Sequence, residues 1–196
     1  MRRIIVTLIV SLLASTAWAE EYFFAHVGMS VTSIDGWEVM SGAEFVALNR
    51  DASFGTDELD KLLQSDDGTP FFSMLSDIRL NSGVRAGFNA FSFEGALADV
   101  DVAAAQMVEY MMATFREAKM IRQPKRSSLN GVDAVNMAMT YRLDLADDTS
   151  QTIYEEVWLV PRETNYVTIS YGTLAEDRDP ELWRDIRRAL ASVSWQ

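Results

Sequence analysis

From residue 132 to 145 the chain alternates apolar and polar side chains. Val135, Met137, Met139, Tyr141 and Leu143 take one side, and Asn136, Ala138, Thr140 and Arg142 take the other. A period of two is that of a strand with one buried and one wetter face. The polar run 146–150 reads as a turn, 152–160 runs back, and 165–171 adds a strand with Val167, Ile169 and Tyr171 inward, which makes an antiparallel meander. Upstream, 29–39 reads as a hairpin around Asp35-Gly36, a pair suited to a turn with positive φ. A further strand is expected at 44–49 and another at 84–93, and Pro124 with the polar residues up to Asn130-Gly131 reads as the loop that returns the chain to strand.

Helical spacing is strongest at 101–119, where Ala104, Val108, Met111, Phe115 and Ala118 form one stripe. The last helix is punctuated by Asp179 as cap, Pro180 at its first position, Glu181 in its first turn and Arg187 and Arg188 near its end. Leu182, Ile186, Ala189, Leu190 and Val193 form its apolar stripe. Between 56 and 78 lie two short helical signals parted by Ser65-Asp66-Asp67-Gly68. Thr56 caps the first; Thr69 and Pro70 start the second, which carries Phe71, Phe72, Leu75 and Ile78. They predict a helical insertion at about 54–80. Strands enclosing one long helix and ending in another, without strict alternation, imply a single α+β domain built on an antiparallel sheet.

The first residues change the picture of where this domain works. Arg2 and Arg3, the apolar stretch 4–13 and Ala17-Trp18-Ala19 have the layout of a secretory signal peptide, residues 1–19, cut after Ala19. The apolar stretch is about half of the roughly 20 residues a membrane span needs. The expected product is residues 20–196, secreted or periplasmic, with no stable membrane insertion after cleavage. With no cysteine in the chain, neither a disulfide nor an acylated cysteine anchor is available. Losing Arg2 and Arg3 takes the 17 basic residues to 15 against 29 acidic ones, a formal charge of −14. Such a surface repels phosphate backbones, so nucleic acid is not an expected partner.

Three stretches in order carry a family resemblance: 30–39 with Asp35-Gly36-Trp37-Glu38, Asn130-Gly131 opening a long strand, and the terminal helix running into Ser192-Val193-Ser194-Trp195. Together they resemble the PsbP-like superfamily, which takes in the photosystem II subunit PsbP, the Mog-type Ran-binding proteins and the DcrB-like proteins. The resemblance extends over about 22–196. It implies an antiparallel sheet sandwiched by helices, an α/β/α sandwich, and an accessory, assembly or binding role in place of catalysis. It transfers no functional residue.

The residues point the same way. His26 is the single histidine, too few ligands for an imidazole zinc site or a triad, and is expected to be exposed or at an edge strand. Neither a Gly-x-Ser-x-Gly elbow nor a phosphate-binding glycine loop occurs. Glu94, Glu109, Glu155 and Glu156 are the candidate carboxylates, but Glu155 and Glu156 are adjacent on a strand and point to opposite faces, so exposed structural roles are expected for all four. The expected function is a non-enzymatic extracytoplasmic accessory or binding protein for a protein partner or small ligand, without a cofactor. Its partner-binding residues would be Phe71, Phe72, Tyr154, Trp158 and Tyr166, because two adjacent rings on a short helix leave one on an exposed patch unless the helix folds flat onto the sheet. The alternative is a periplasmic metal-handling protein. Met137 and Met139 would hold copper(I) through thioethers, or Asp147 and Asp148, beside Asp144, would hold calcium. As core filler the same methionines need no metal.

Overall fold

The computed structural model describes residues 19–50, 53–63, 68–76, 84–94, 99–145, 148–176 and 179–196; residues 1–18 of the predicted leader, Asp147 and Asp66-Asp67 lie outside them. Ten strands and four helices are described, and the fold is a single α+β domain. Seven strands form one antiparallel sheet in the order β3 (Trp37–Met40), β4 (Phe72–Ser76), β5 (Gly87–Glu94), β9 (Asn165–Leu174), β8 (Ser150–Pro161), β7 (Val132–Asp144) and β6 (Lys119–Leu129). A second sheet joins β1 (Glu21–Phe24), β2 (Met29–Thr32) and β10 (Ser194–Trp195).

The predicted meander is present, with Met139 opposite Glu155 and Glu155 opposite Gly172. Each face of the large sheet is covered. On one face, Met74, Phe88, Val167 and Ile169 pack with Met29 and Val31 of the small sheet and with Leu182, Ile186, Ala189 and Val193 at the last helix, α4 (Pro180–Ser192). On the other, Val135, Met137, Met139, Val157 and Leu159 meet Ala104 and Met111 of α3 (Val100–Thr114). The remaining helices, α1 (Gly42–Asn49) and α2 (Asp57–Leu63), lie on this second side, where Phe45 meets Phe91 edge-on with centroids 6.3 Å apart.

Five local expectations are corrected. Residues 44–49 are helical because Ser41 and Glu44 make a capping box: Ser41 N–H donates to the Glu44 carboxylate at 2.7 Å and Glu44 N–H donates to Ser41 Oγ at 3.3 Å. The turn at Asp35-Gly36 exists, with Gly36 at φ 77°, but it does not close a hairpin. The buried Ile34 beside it is part of the core between the sheets, and β2 and β3 leave it for different sheets. The second helical signal is strand β4, all five residues buried; pairing on both edges, with β3 and β5, outweighs the local Thr69-Pro70 start signal. The helix α3 stops at Thr114, five residues early, because Phe115 turns extended and packs against Tyr141, the tilted rings 4.6 Å apart. Finally, 119–129 is a full strand, β6, at the sheet edge. Pro124 is tolerated there, between Arg122 and Lys125, where the register with β7 shifts.

Candidate functional site

Strand register decides which side chains share the face beneath α1 and α2. Pairings Leu75↔Gly87, Gly87↔Gly172, Gly172↔Glu155 and Glu155↔Met139 run straight across β4, β5, β9, β8 and β7. Two of the five positions carry no side chain. A Cβ added to Gly172 would make ordinary contacts with Ile153 Cγ2 and Tyr154 O, both at 3.7 Å, whereas one added to Gly87 would press on Leu75 Cδ2 at 3.2 Å. The helices bridge this hollow without filling it, and a cavity of about 250 Å³ results. Its walls are apolar: Phe45 and Leu48 from α1, Leu63 from α2, Phe91 from the sheet, and Phe54, Phe115, Leu143 and Leu145 around the far end.

Few polar groups project into it. Glu155 lies on the floor and accepts hydrogen bonds from the hydroxyls of Ser170 and Tyr141. Burial raises its carboxyl above the ordinary glutamate value, against the pull of those two donors. The Tyr141 hydroxyl is pushed well above its usual value, first by burial and then by the charge of Glu155, so it stays protonated and keeps donating. Asn89 shares the floor and accepts from Ser73 Oγ at 2.7 Å. At the β4 end Arg85 is held by the carbonyls of Ser76 (2.5 Å) and Leu75 (3.3 Å) and by Glu38 (2.7 Å). Three strand spacings separate Leu75, whose carbonyl holds Arg85, from Glu155, roughly 14 Å at ordinary strand spacing.

The opposite side of the same strand is closed. Glu156 is 7% exposed and accepts from Asn136 Nδ2 at 3.0 Å, from the Tyr154 hydroxyl at 3.0 Å, from Arg122 at 3.1 Å and from Tyr171. Burial, with Glu156 beside it, pushes the Tyr154 hydroxyl up to about 12, and burial raises Tyr171 also. Trp183 of α4 packs edge-on against both rings, at 5.8 and 6.0 Å. Glu155 and Glu156 do point to opposite faces, but the exposed roles expected for them are corrected: one is at the cavity and the other is buried.

The other residues singled out are dispersed. Phe72 is buried between Tyr22, Phe24 and Phe88, while Phe71 is half-buried against Phe24 and His26. Tyr154 and Trp158 are half-buried on the α4 side, and Tyr166 is 7% exposed on the α3 side, so the five aromatics form no single patch. The Trp158 indole N–H has no hydrogen-bond partner among the described residues. His26 is exposed in the turn between β1 and β2. Met137 and Met139 have no exposed surface and sit in the apolar cluster with Val135, Val157, Leu159 and Tyr141. Asp144 is taken up by Arg116, Arg142 and Ser150, which hold its carboxyl below the usual range. Among the described residues no three His, Asp or Glu side chains are grouped to hold a metal ion, and no helix is long and apolar enough to cross a membrane.

No family model matches the sequence, and no curated protein matches it. Solved structures do. The solution structure of the cyanobacterial PsbP of Synechocystis superposes with a TM-score of 0.51 at 15% identity, over 93% of this chain and 95% of that one. The chain has a PsbP-like fold. A crystal structure from Bacteroides thetaiotaomicron aligns with a TM-score of 0.50 at 8% identity over 91% of this chain, which spans only 48% of that protein. The Ran-binding protein Mog1p of Saccharomyces cerevisiae aligns at 0.49 and 9% identity, over 90% and 95% of the two chains. Within the PsbP-like fold, the sequence reading overlooked Gly87, Gly172, Ser170 and the roof helix α1. Glycines inside strands and the Ser41-x-x-Glu44 box were the available signals.

Proposed function

We propose that this chain is a non-enzymatic binding protein that takes a small, mainly apolar ligand in the cavity between α1, α2 and the sheet. The observation that carries the reading is the cavity of about 250 Å³ lined by Gly87 and Gly172, side by side in register, and by Phe45, Leu48 and Leu63 of the roof helices. Ligand sites are concave, mostly apolar and supplied with a few convergent polar groups, and this cavity has that make-up at the small end of the size range. Its titratable lining among the described residues is Arg85, Tyr141 and Glu155. With Arg85 tied to Glu38 and Tyr141 held protonated, they do not supply the matched acid and base that proton-transfer catalysis uses. Work outside the cytoplasm is supported by the basic, apolar and small-residue succession before Ala19.

The test is a melting series with straight-chain alcohols from butanol to decanol. Binding to the folded form raises the midpoint, and the rise is expected to peak at an intermediate length. In Gly172→Val, whose side chain projects into the hollow from an ordinary strand conformation, the rise is expected to vanish while the fold persists. A flat response of the unmodified protein to every alcohol would overturn the proposal.

A further inference from the structure

The binding reading leaves open what the polar end of the ligand is, and the surroundings of Glu155 narrow it. A carboxylate offers about four acceptor positions, and the Ser170 and Tyr141 hydroxyls occupy two. Among the described residues no Lys or Arg pairs with Glu155; Arg85, the cation among the described lining residues, lies at the far end of the cavity and pairs with Glu38. Its strand neighbour Glu156, by contrast, is supplied with Arg122. A carboxylate set in an apolar cavity with donors but no cation is complete only when the cation arrives from outside. The rings of Phe91, Phe115 and Tyr141 around the same space add faces that attract positive charge.

We propose that the ligand is a cationic amphiphile, an alkyl or aryl amine whose ammonium group binds the Glu155 carboxylate while its hydrocarbon body lies against Phe45, Leu48 and Phe91. The assignment rests on the cavity being a ligand site, and the experiment separates the two claims. Octylamine, octanol and octanoate share one chain length and differ in head group. Each is titrated calorimetrically at neutral pH into the full-length processed protein, into Glu155→Gln and into Gly172→Val, with folding of each variant confirmed by its melting transition.

Octylamine is expected to bind about tenfold or more tighter than octanol. Glu155→Gln should remove that preference, so that the variant binds amine and alcohol alike, and Gly172→Val should abolish both. Equal binding of amine and alcohol would overturn the head-group assignment and leave the cavity reading standing. No binding by any of the three would overturn both. Tighter binding of octanoate would make Arg85 the anchor in place of Glu155. Amine binding that survives in Gly172→Val would place the amine on the acidic surface, which also sinks the assignment.

Discussion

Glu155 and Glu156 are adjacent, chemically identical, and carried through the sheet on the same strand, yet they meet opposite environments. Glu156 is buried under α4 with four donors around it, one of them a guanidinium. Glu155 has two hydroxyls, no cation and a cavity above it. The difference comes from what covers each face. The α4 stripe drops Leu182, Ile186 and Ala189 directly onto the sheet and fills the space, with Trp183 capping Tyr154 and Tyr171. The short helices α1 and α2 span a floor that lacks side chains at two adjoining positions. One face is built for cohesion and the other retains room, so removing the carboxylate is expected to cost stability on the first and to gain it on the second.

The comparison breaks most severely at Glu156. Glu156→Ala strands Arg122, Asn136, Tyr154 and Tyr171 without their common acceptor. The expected loss is about 2–4 kcal/mol in urea unfolding, toward the lower end for a broken buried pair because Arg122 keeps 45% of its side-chain surface and recovers water. A loss under about 1 kcal/mol would show that the network is not what holds this face together.

A smaller effect is expected where α4 is fastened. Asn130, at φ 51°, donates from Nδ2 to the carbonyls of Leu190 (2.7 Å) and Val193 (2.6 Å), which end the helix. Asn130→Gly keeps the left-handed backbone free of strain and removes only the side chain, so it isolates those bonds. It should lower stability by about 1–2 kcal/mol and speed hydrogen exchange at 190–193. Unchanged exchange there would mean that the apolar stripe alone secures the helix.

The two faces were not equally legible in the sequence. The α4 side could be read because its signals are local: Asp179-Pro180 marks the helix start, the stripe from Leu182 to Val193 marks its buried face, and the alternation of β7 marks the sheet. The cavity side depends on which strands become neighbours. Nothing near Gly172 in the chain indicates that Gly87 will lie beside it, and nothing in Phe72 to Ser76 reveals that β3 and β5 will pair with it and hold it extended. Thr69-Pro70 invited a helical reading for the same reason, since the pairing of Phe72 with Ala90 of β5 exists only in the assembled sheet. The opposed directions of Glu155 and Glu156 followed from strand periodicity, but their burial did not, because burial is decided by helices distant in the chain.

The smallest expected effect has the opposite sign and sharpens the contrast most. Burial holds the Glu155 carboxyl above its ordinary value of 4.5, so the folded protein keeps this proton at a pH where the unfolded chain has released it. Between the unfolded and the folded value the native state binds more protons, and stability falls as pH rises through that window; above it the penalty for the ionised form is constant. Glu155→Gln is uncharged throughout and keeps an oxygen to accept from Ser170 and Tyr141. It is therefore expected to unfold at a higher temperature than the unmodified protein at pH 7, by an amount on the order of 1 kcal/mol or less. The advantage should shrink as pH falls and disappear below 4.5, where both chains carry a neutral group. Parallel melting curves at about pH 4, 5, 6 and 7 read this directly. A variant less stable than its parent at pH 7 would mean that the two hydroxyls more than offset desolvation, and Glu155 would then belong with Glu156 as a stabilising carboxylate.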